Sequence, residues 1–236
     1  MTSIFKLHDI VLQVSIEAKK LIKPKQVIDD ENNLLFELVF CILSSQEKFE
    51  VALGATKSLE NNGALRTPRN KSDIRKIQRQ IEEILSEPVM FRAQGKHQKR
   101  RLRFYVNKSR YLGTTIENIY SNSRNLTEVL SCSSSIYEAR EKVIKISSGV
   151  GPKQASMFLR NAGYCDDFAI LDKHVIEYMK IMTLIGPSNY NFSQLSTYEQ
   201  VEGRLKSYAS TYNIELLYLD LGIWATMRTL KHYRYE

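Results

Sequence analysis

Cysteine is scarce in this 236-residue chain: Cys41, Cys132 and Cys165 are the three thiols, with no CxxC pair and no Cys/His ligand spacing. A structural zinc site, a four-cysteine iron–sulfur cluster and a disulfide framework are poorly supported, which leaves packing as the expected role of these thiols. Glycine (10) and proline (5) are also few. The turn clusters that punctuate a sandwich or barrel about every 8 to 12 residues do not appear, which argues against an all-β fold. Long hydrophobic runs are missing too. The longest apolar stretch, Leu34 to Leu43, is about half of the roughly 20 residues a membrane span needs, and Glu37 interrupts it. The N-terminal MTSIFKLHDIVLQV has no basic start, continuous apolar core or small-residue cleavage site, so no secretory signal is visible and an intracellular protein without a membrane partner is expected.

What the chain does have is an excess of positive charge. Lys plus Arg number 34 against 26 Asp plus Glu, giving a net charge of +8 and a pI near 9.3, which points to a polyanionic partner. Hydrophobic residues at 43% and charged residues at 25% fit a globular chain that buries a core rather than a disordered one. The length suits one large domain or two modest lobes.

Leu7, Ile10, Val11, Val14, Ala18, Leu21 and Ile22 recur at helical spacing, predicting a first helix that stops before Pro24. A second, strongly apolar helix is expected from Asp30 to about Ser45. Gln46 interrupts before a third apolar-periodic segment that ends at Asn61 to Gly63. Ser72 is a plausible N-cap for Asp73 to Leu85, with Ile74, Ile77, Ile81 and Leu85 on one face. Further helices are expected over Tyr137 to Ile146, from Asp172 onward, over Tyr198 to Tyr212 and over Glu215 to Thr229.

Arg92 to Arg110 holds Arg92, Lys96, Lys99, Arg100, Arg101, Arg103, Lys108 and Arg110 and no acid. Leu102, Tyr105, Val106, Ser109 and Leu112 share a helical stripe within it, so the cations are expected on the opposite, exposed side. A solvated helix face and a phosphate-contacting face are both consistent with that pattern.

The sequence SSGVGPKQASMFLRNAG, Ser147 to Gly163, reads as a tight glycine turn into a helix: Gly149 and Gly151 permit close backbone approach, and Pro152 suits the first helical position. Free N–H groups and the helix dipole at such a place favour an anion. No strand precedes it and no GKS or GKT follows, so a nucleotide cradle is disfavoured and a DNA backbone remains. Lys153 follows the turn, where the positive helix end and burial both work against its ammonium form, as a nucleophilic amine requires. Asp172, 19 residues on, begins the next helix. The plainer alternative is that Lys153 holds phosphate as a cation and Asp172 only caps a helix.

GVGPKQASMFLRNAG followed by FAILDKHVI resembles the helix-hairpin-helix DNA glycosylase superfamily. LFELVFCILSSQ (Leu35 to Gln46), KRRLRFYVNKSRYLG (Lys99 to Gly113) and LYLDLGIW (Leu217 to Trp224) are similar to the archaeal-type, second class of 8-oxoguanine DNA glycosylase/AP lyase. The resemblance covers roughly residues 30 to 231. It implies an all-α, two-lobed fold with an interlobe cleft, the central lobe being 30–165 and the second lobe 1–29 with 166–236. It implies damaged double-stranded DNA as the partner of a monomer, and a monovalent ion that can sit between the turn's carbonyls and a DNA phosphate; the lysine chemistry itself requires no cofactor or metal.

By that resemblance Lys153 attacks the anomeric carbon of the damaged nucleoside, expels the base and leaves a Schiff base, from which β-elimination cuts the strand, while Asp172 supports the developing charge. The base must be extruded to be reached. Gln46 matches the superfamily's Asn/Gln wedge, with an ordinary helix-end amide as the alternative. Gly149, Val150, Gly151, Gln154, His174, Lys99 and Arg100 are implied DNA contacts, and Phe91, Asp220, Trp224 and Lys231 an implied base pocket. Three departures stand out: Glu47 where an aromatic is expected, a CDD linker one residue longer than in close archaeal relatives, and HYRYE beyond Lys231. Two rival readings share the scaffold: action on another damaged base, and noncatalytic DNA binding.

Overall fold

The computed structural model describes residues 2–93, 95–121 and 124–233. Eleven helices and one two-stranded sheet make up its elements among the described residues, and the chain divides into two compact units, 27–150 and 1–26 with 151–236. The division falls at Val150, so the helix that follows the glycine turn groups with the terminal helices, where the sequence had suggested a central lobe running to 165.

The unit 27–150 is built on α2 (Glu31–Leu43), in which Leu34, Leu35 and every residue from Leu38 to Leu43 are buried, so it is covered nearly all round. Asp30 caps it, its carboxylate accepting the Asn33 N–H at 2.8 Å. Glu31 then anchors its first turn: one carboxylate oxygen accepts from Tyr120 Oη at 2.6 Å and the Leu126 N–H at 2.8 Å, the other from the Thr127 N–H and Oγ1. On it pack α3 (Phe49–Asn61), α5 (Tyr105–Tyr120) and α6 (Leu126–Ser131), while α4 (Lys71–Ser86) packs on α5 and α3, and α7 (Ile136–Ile146) on α6 and α5. Asn70, not Ser72, caps α4: its side chain accepts the Asp73 N–H at 2.9 Å, and the buried stripe Ile74, Ile77, Ile81, Leu85 is as expected.

The basic run departs from expectation. Val89–Ala93 (β1) and Lys96–Arg100 (β2) pair antiparallel, Val89 opposite Arg100 and Ala93 opposite Lys96. The deciding signal is a period of two, Val89 and Phe91 turned into α3 and Met90 and Arg92 turned outward, ahead of the helical stripe that starts only at Tyr105. Within α5, Lys108 is buried rather than solvated, and Val106, expected on the buried stripe, is 61% exposed.

The other unit packs α1 (Thr2–Leu21) on α11 (Leu216–Tyr233), with α8 (Pro152–Asn161), α9 (Lys173–Ile181) and α10 (Leu195–Thr211) completing it. Val11, Leu171, Val175, Tyr178, Tyr198, Leu205, Leu219 and Ile223 form its core. Gly163 ends α8 at φ 78°, and a Cβ there would lie 2.4 Å from the Gln26 carbonyl oxygen, so both backbone angle and space demand glycine. No described helix is long and apolar enough to cross a membrane.

Candidate active site

The turn between α7 and α8 is built from backbone. Ser147 leaves the helix in an extended conformation, the Ser148 N–H donates to Thr115 Oγ1 at 2.9 Å, and the Val150 N–H donates to the Ser147 carbonyl at 3.3 Å. Gly149, exposed at the tip, has φ 73°, and a Cβ on it would fall 2.5 Å from Cδ2 of Tyr111. Gly151 is the N-cap of α8 without a side-chain bond, Pro152 takes the first position, and the first intrahelical bond runs from the Ala155 N–H to the Gly151 carbonyl at 3.0 Å. The N–H groups of Gly151, Lys153 and Gln154 have no hydrogen-bond acceptor among the described residues. Open N–H groups at the start of a helix, together with its dipole, favour a negative charge.

Lys153 is the second residue of α8 and half-buried, and among the described residues no hydrogen bond or ion pair engages its amine. Asp172 caps α9: its Oδ1 accepts the N–H groups of His174 at 2.8 Å and Val175 at 2.9 Å. Its Oδ2 has no hydrogen-bond donor among the described residues, so one carboxylate oxygen positions the side chain and the other stays open. Both residues belong to the same compact unit, and no ion pair joins them among the described residues.

Gln46 sits in the other unit, exposed, in the turn after α2, at φ 53°. It borders a recess of about 220 Å³ whose walls include Ile42, Phe104, Lys108, Tyr111 and Gly149. The wedge candidate and the tip of the glycine turn, separate in sequence, thus share one concave surface. Phe104, which the sequence reading did not single out, enters that recess 58% exposed from a left-handed backbone, φ 55°. A second non-glycine residue at positive φ beside Gln46 concentrates backbone strain at this spot.

Glu47 explains its own departure from an aromatic. Its side chain is fully buried, Oε1 accepting from Arg100 at 2.8 Å and from the Lys48 N–H at 2.9 Å, and Oε2 from the Arg103 N–H at 2.9 Å. The carboxylate therefore ties the Gln46 turn to the chain that delivers Phe104. Lys108 adds a second tie, its amine donating to the Leu43 carbonyl at the end of α2 at 2.7 Å. Burial, reinforced by the Arg103 charge and opposed by Glu47, pushes the Lys108 amine down to about 8.

The remaining candidates divide. Lys99 is exposed on β2 and Gln154 is half-buried in the first turn of α8. Arg100 is committed to Glu47, and His174 is only 8% exposed. Phe91 is 8% exposed in the β1–α3 contact, where Gly54 leaves room for its Cβ, so it packs a core and shows little open ring. Trp224 is 37% exposed on α11, with the Arg228 guanidinium 4.9 Å from its ring centroid. Asp220 is buried and paired with Arg160, and it also accepts the Ile170 N–H at 2.9 Å. Burial pushes its carboxyl up, against the opposing effect of Arg160. Lys231 lies in the last turn of α11, its side chain outside the described residues.

Solved structures share this arrangement of helices. The chain aligns with the 8-oxoguanine glycosylase/lyase of Methanocaldococcus jannaschii, solved in complex with a DNA containing 8-oxoguanine, at 24% identity and TM-score 0.64, over 95% of this chain and 96% of that one. The 8-oxoguanine DNA glycosylase of Thermotoga maritima aligns at 22% identity and TM-score 0.65, over 94% and 95%. These likenesses define the class of fold as all-α.

The family model for 8-oxoguanine DNA glycosylase matches residues 18–214, and the chain belongs to that family. An 8-oxoguanine DNA glycosylase/AP lyase of Saccharolobus solfataricus is 31% identical over 80% of this chain and 79% of its own length. Proteins of that name from Saccharolobus islandicus are 40% identical over 52% of this chain, and the match spans 58% of their length, little more than half.

Proposed function

We propose that this protein excises 8-oxoguanine from double-stranded DNA and then cuts the strand, with Lys153 as nucleophile and Asp172 as the carboxylate that supports the reaction. The observation carrying this reading is the Lys153 amine, uncommitted among the described residues, in the first turn of α8 immediately after the glycine turn, in a chain of the 8-oxoguanine DNA glycosylase family.

The chemistry follows from those groups. A phosphate on the open N–H groups of Gly151, Lys153 and Gln154 brings the sugar of the damaged nucleotide to the start of α8. The Lys153 nitrogen attacks C1′ through its lone pair, the glycosidic bond breaks, and the bonding electron pair leaves with the base, which takes up a proton. The attached nitrogen gives up a proton, its lone pair expels the ring oxygen O4′, which takes a proton as the ring opens, and a protonated Schiff base joins Nζ to C1′. Removal of a C2′ proton then drives out the 3′ phosphate by β-elimination, and water releases the lysine. The open Oδ2 of Asp172 stabilises positive charge on the sugar and serves as proton acceptor.

Extrusion of the base falls to Gln46, whose exposed amide in a fixed left-handed turn fills the vacated stack. Lys99 and the exposed cations of β2 neutralise phosphates along the duplex. Trp224 offers the half-exposed aromatic face for the extruded purine, and Lys231 follows it on α11.

The test is borohydride trapping on an 8-oxoguanine duplex. Wild type forms a covalent protein–DNA species and Lys153→Gln forms none. Trapping that survives Lys153→Gln refutes the nucleophile, and a lesion panel under single turnover in which another base is released faster moves the substrate away from 8-oxoguanine. Salt-sensitive binding with no base release from any lesion identifies a noncatalytic DNA-binding protein instead.

A further inference from the structure

Residues Phe168 to Leu171 carry the chain to Asp172 and lie in neither a helix nor a strand. Buried main-chain groups outside regular structure need partners, and a neighbouring strand is the usual source. Here side chains supply them. Arg160 donates to the Phe168 carbonyl at 3.3 Å, the Ala169 N–H donates to Glu202 Oε1 at 3.0 Å, and Tyr198 Oη donates to the Ala169 carbonyl at 2.6 Å. The Ile170 N–H donates to Asp220 Oδ2 at 2.9 Å and the Leu171 N–H to Tyr198 Oη at 3.1 Å. Tyr198 thus holds two residues of the segment with one hydroxyl, as acceptor and donor together.

These four side chains come from α8, α10 and α11, and all are buried: Arg160 9%, Tyr198 0%, Glu202 5% and Asp220 3% exposed. Placing charged and hydroxyl groups there costs desolvation that an apolar core would avoid, so stability alone is a poor reason for them. Their common feature is what they grip. Arg160 lies seven residues after Lys153, about two turns along α8. It bonds at once to the Phe168 carbonyl and to Asp220, which in turn holds Ile170. The helix bearing the amine and the segment bearing the carboxylate are therefore joined through one buried pair. The Asp172 charge also contributes to the upward push on the Asp220 carboxyl, as expected of neighbours in a poorly hydrated setting.

We propose that Arg160, Tyr198, Glu202 and Asp220 are positioning residues, a side-chain clamp that fixes the Asp172 carboxylate relative to the helix of Lys153. The inference rests on the reaction proposed above and assigns Asp220 to holding the main chain rather than to contact with the extruded base. A clamp of this kind acts on the chemical step and not on duplex binding, because none of its members is exposed to DNA.

The experiment compares wild type with Tyr198→Phe, Glu202→Leu and Glu202→Gln in single-turnover release of 8-oxoguanine, alongside duplex Kd, at a temperature well below every Tm. Tyr198→Phe and Glu202→Leu are expected to slow base release by about tenfold or more while Kd changes less than about twofold, the scale of effect that small misplacement of a reacting group produces. Glu202→Gln keeps an oxygen for the Ala169 N–H and retains the wild-type rate. Variants with lowered Tm but wild-type rates overturn the clamp and leave the glycosylase reading intact. A wild type that releases no base overturns both.

Discussion

Replacing Glu47 by alanine removes a carboxylate that the structure places under three donors in a fully buried position. Two of those donors are the backbone N–H groups of Lys48 and Arg103, which lose their acceptor, and the third is the Arg100 guanidinium. Breaking a fully buried ion pair costs about 3–5 kcal/mol, much of it from the partner charge left behind. Arg100 is 31% exposed and recovers part of its hydration, so the expected loss is about 2–4 kcal/mol. For a chain of this size that corresponds to a fall in Tm of about 4 to 16 °C. The assay is urea unfolding with an unchanged m-value and a lowered midpoint, run in parallel with single-turnover base release. Because the same carboxylate ties the Gln46 turn to the chain entering Phe104, base release is expected to fall below wild type even where the variant is fully folded. A midpoint within error of wild type refutes the reasoning. It would mean that water or a side-chain shift satisfies the two N–H groups at no cost, and that the turn needs no carboxylate.

Lys108 gives a pH-dependent expectation. Its pKa in the folded chain is lowered from 10.5 to about 8, so the unfolded chain binds more protons between those values and stability contributed by this group rises with pH across pH 8 to 10.5. Measured as the difference between wild type and Lys108→Met, unfolding free energies from urea titrations should move in favour of wild type by up to about 3 kcal/mol over that window, and a flat difference contradicts the burial of the amine. Gly149→Ala combines a positive φ with a 2.5 Å approach to the Tyr111 ring, for an expected loss of about 1–3 kcal/mol in thermal unfolding and weaker duplex binding, whereas unchanged affinity would detach the turn from DNA.

Much of this was legible in the chain because the decisive residues act locally. The turn that begins α8, Pro152 in its first position and Asp172 as a cap are set by a few adjacent residues, and the structure places each where its residue type suggests. The β1–β2 hairpin was not legible. A count of cations across Arg92 to Arg110 merges two different periodicities, and the period of two at Val89 and Phe91 lies just outside that window. Lys108 shows the same limit, since a cation reads as solvated until the Leu43 carbonyl at the end of a helix 65 residues away is seen to receive it.

Glu47, Phe104 and the partners of Asp220 depend on contacts between distant segments, which residue type alone does not announce. Glu47 reads as an anomaly in the sequence and becomes intelligible only beside Arg100 and Arg103. Asp220 enters the implied base pocket only through the resemblance of LYLDLGIW to the family. The structure buries it and pairs it with Arg160 on α8, a contact that its residue type does not announce. Phe104 carries no sequence signal of its own; the left-handed backbone that turns it outward is a property of the β2–α5 connection.

The most direct measurement is the site of covalent attachment. Wild-type protein is trapped with borohydride on an 8-oxoguanine duplex, digested and sequenced by mass spectrometry. The account predicts the reduced sugar adduct on Lys153. An adduct on Lys108, the buried amine whose pKa is already depressed, or on the N-terminal amine, would contradict it.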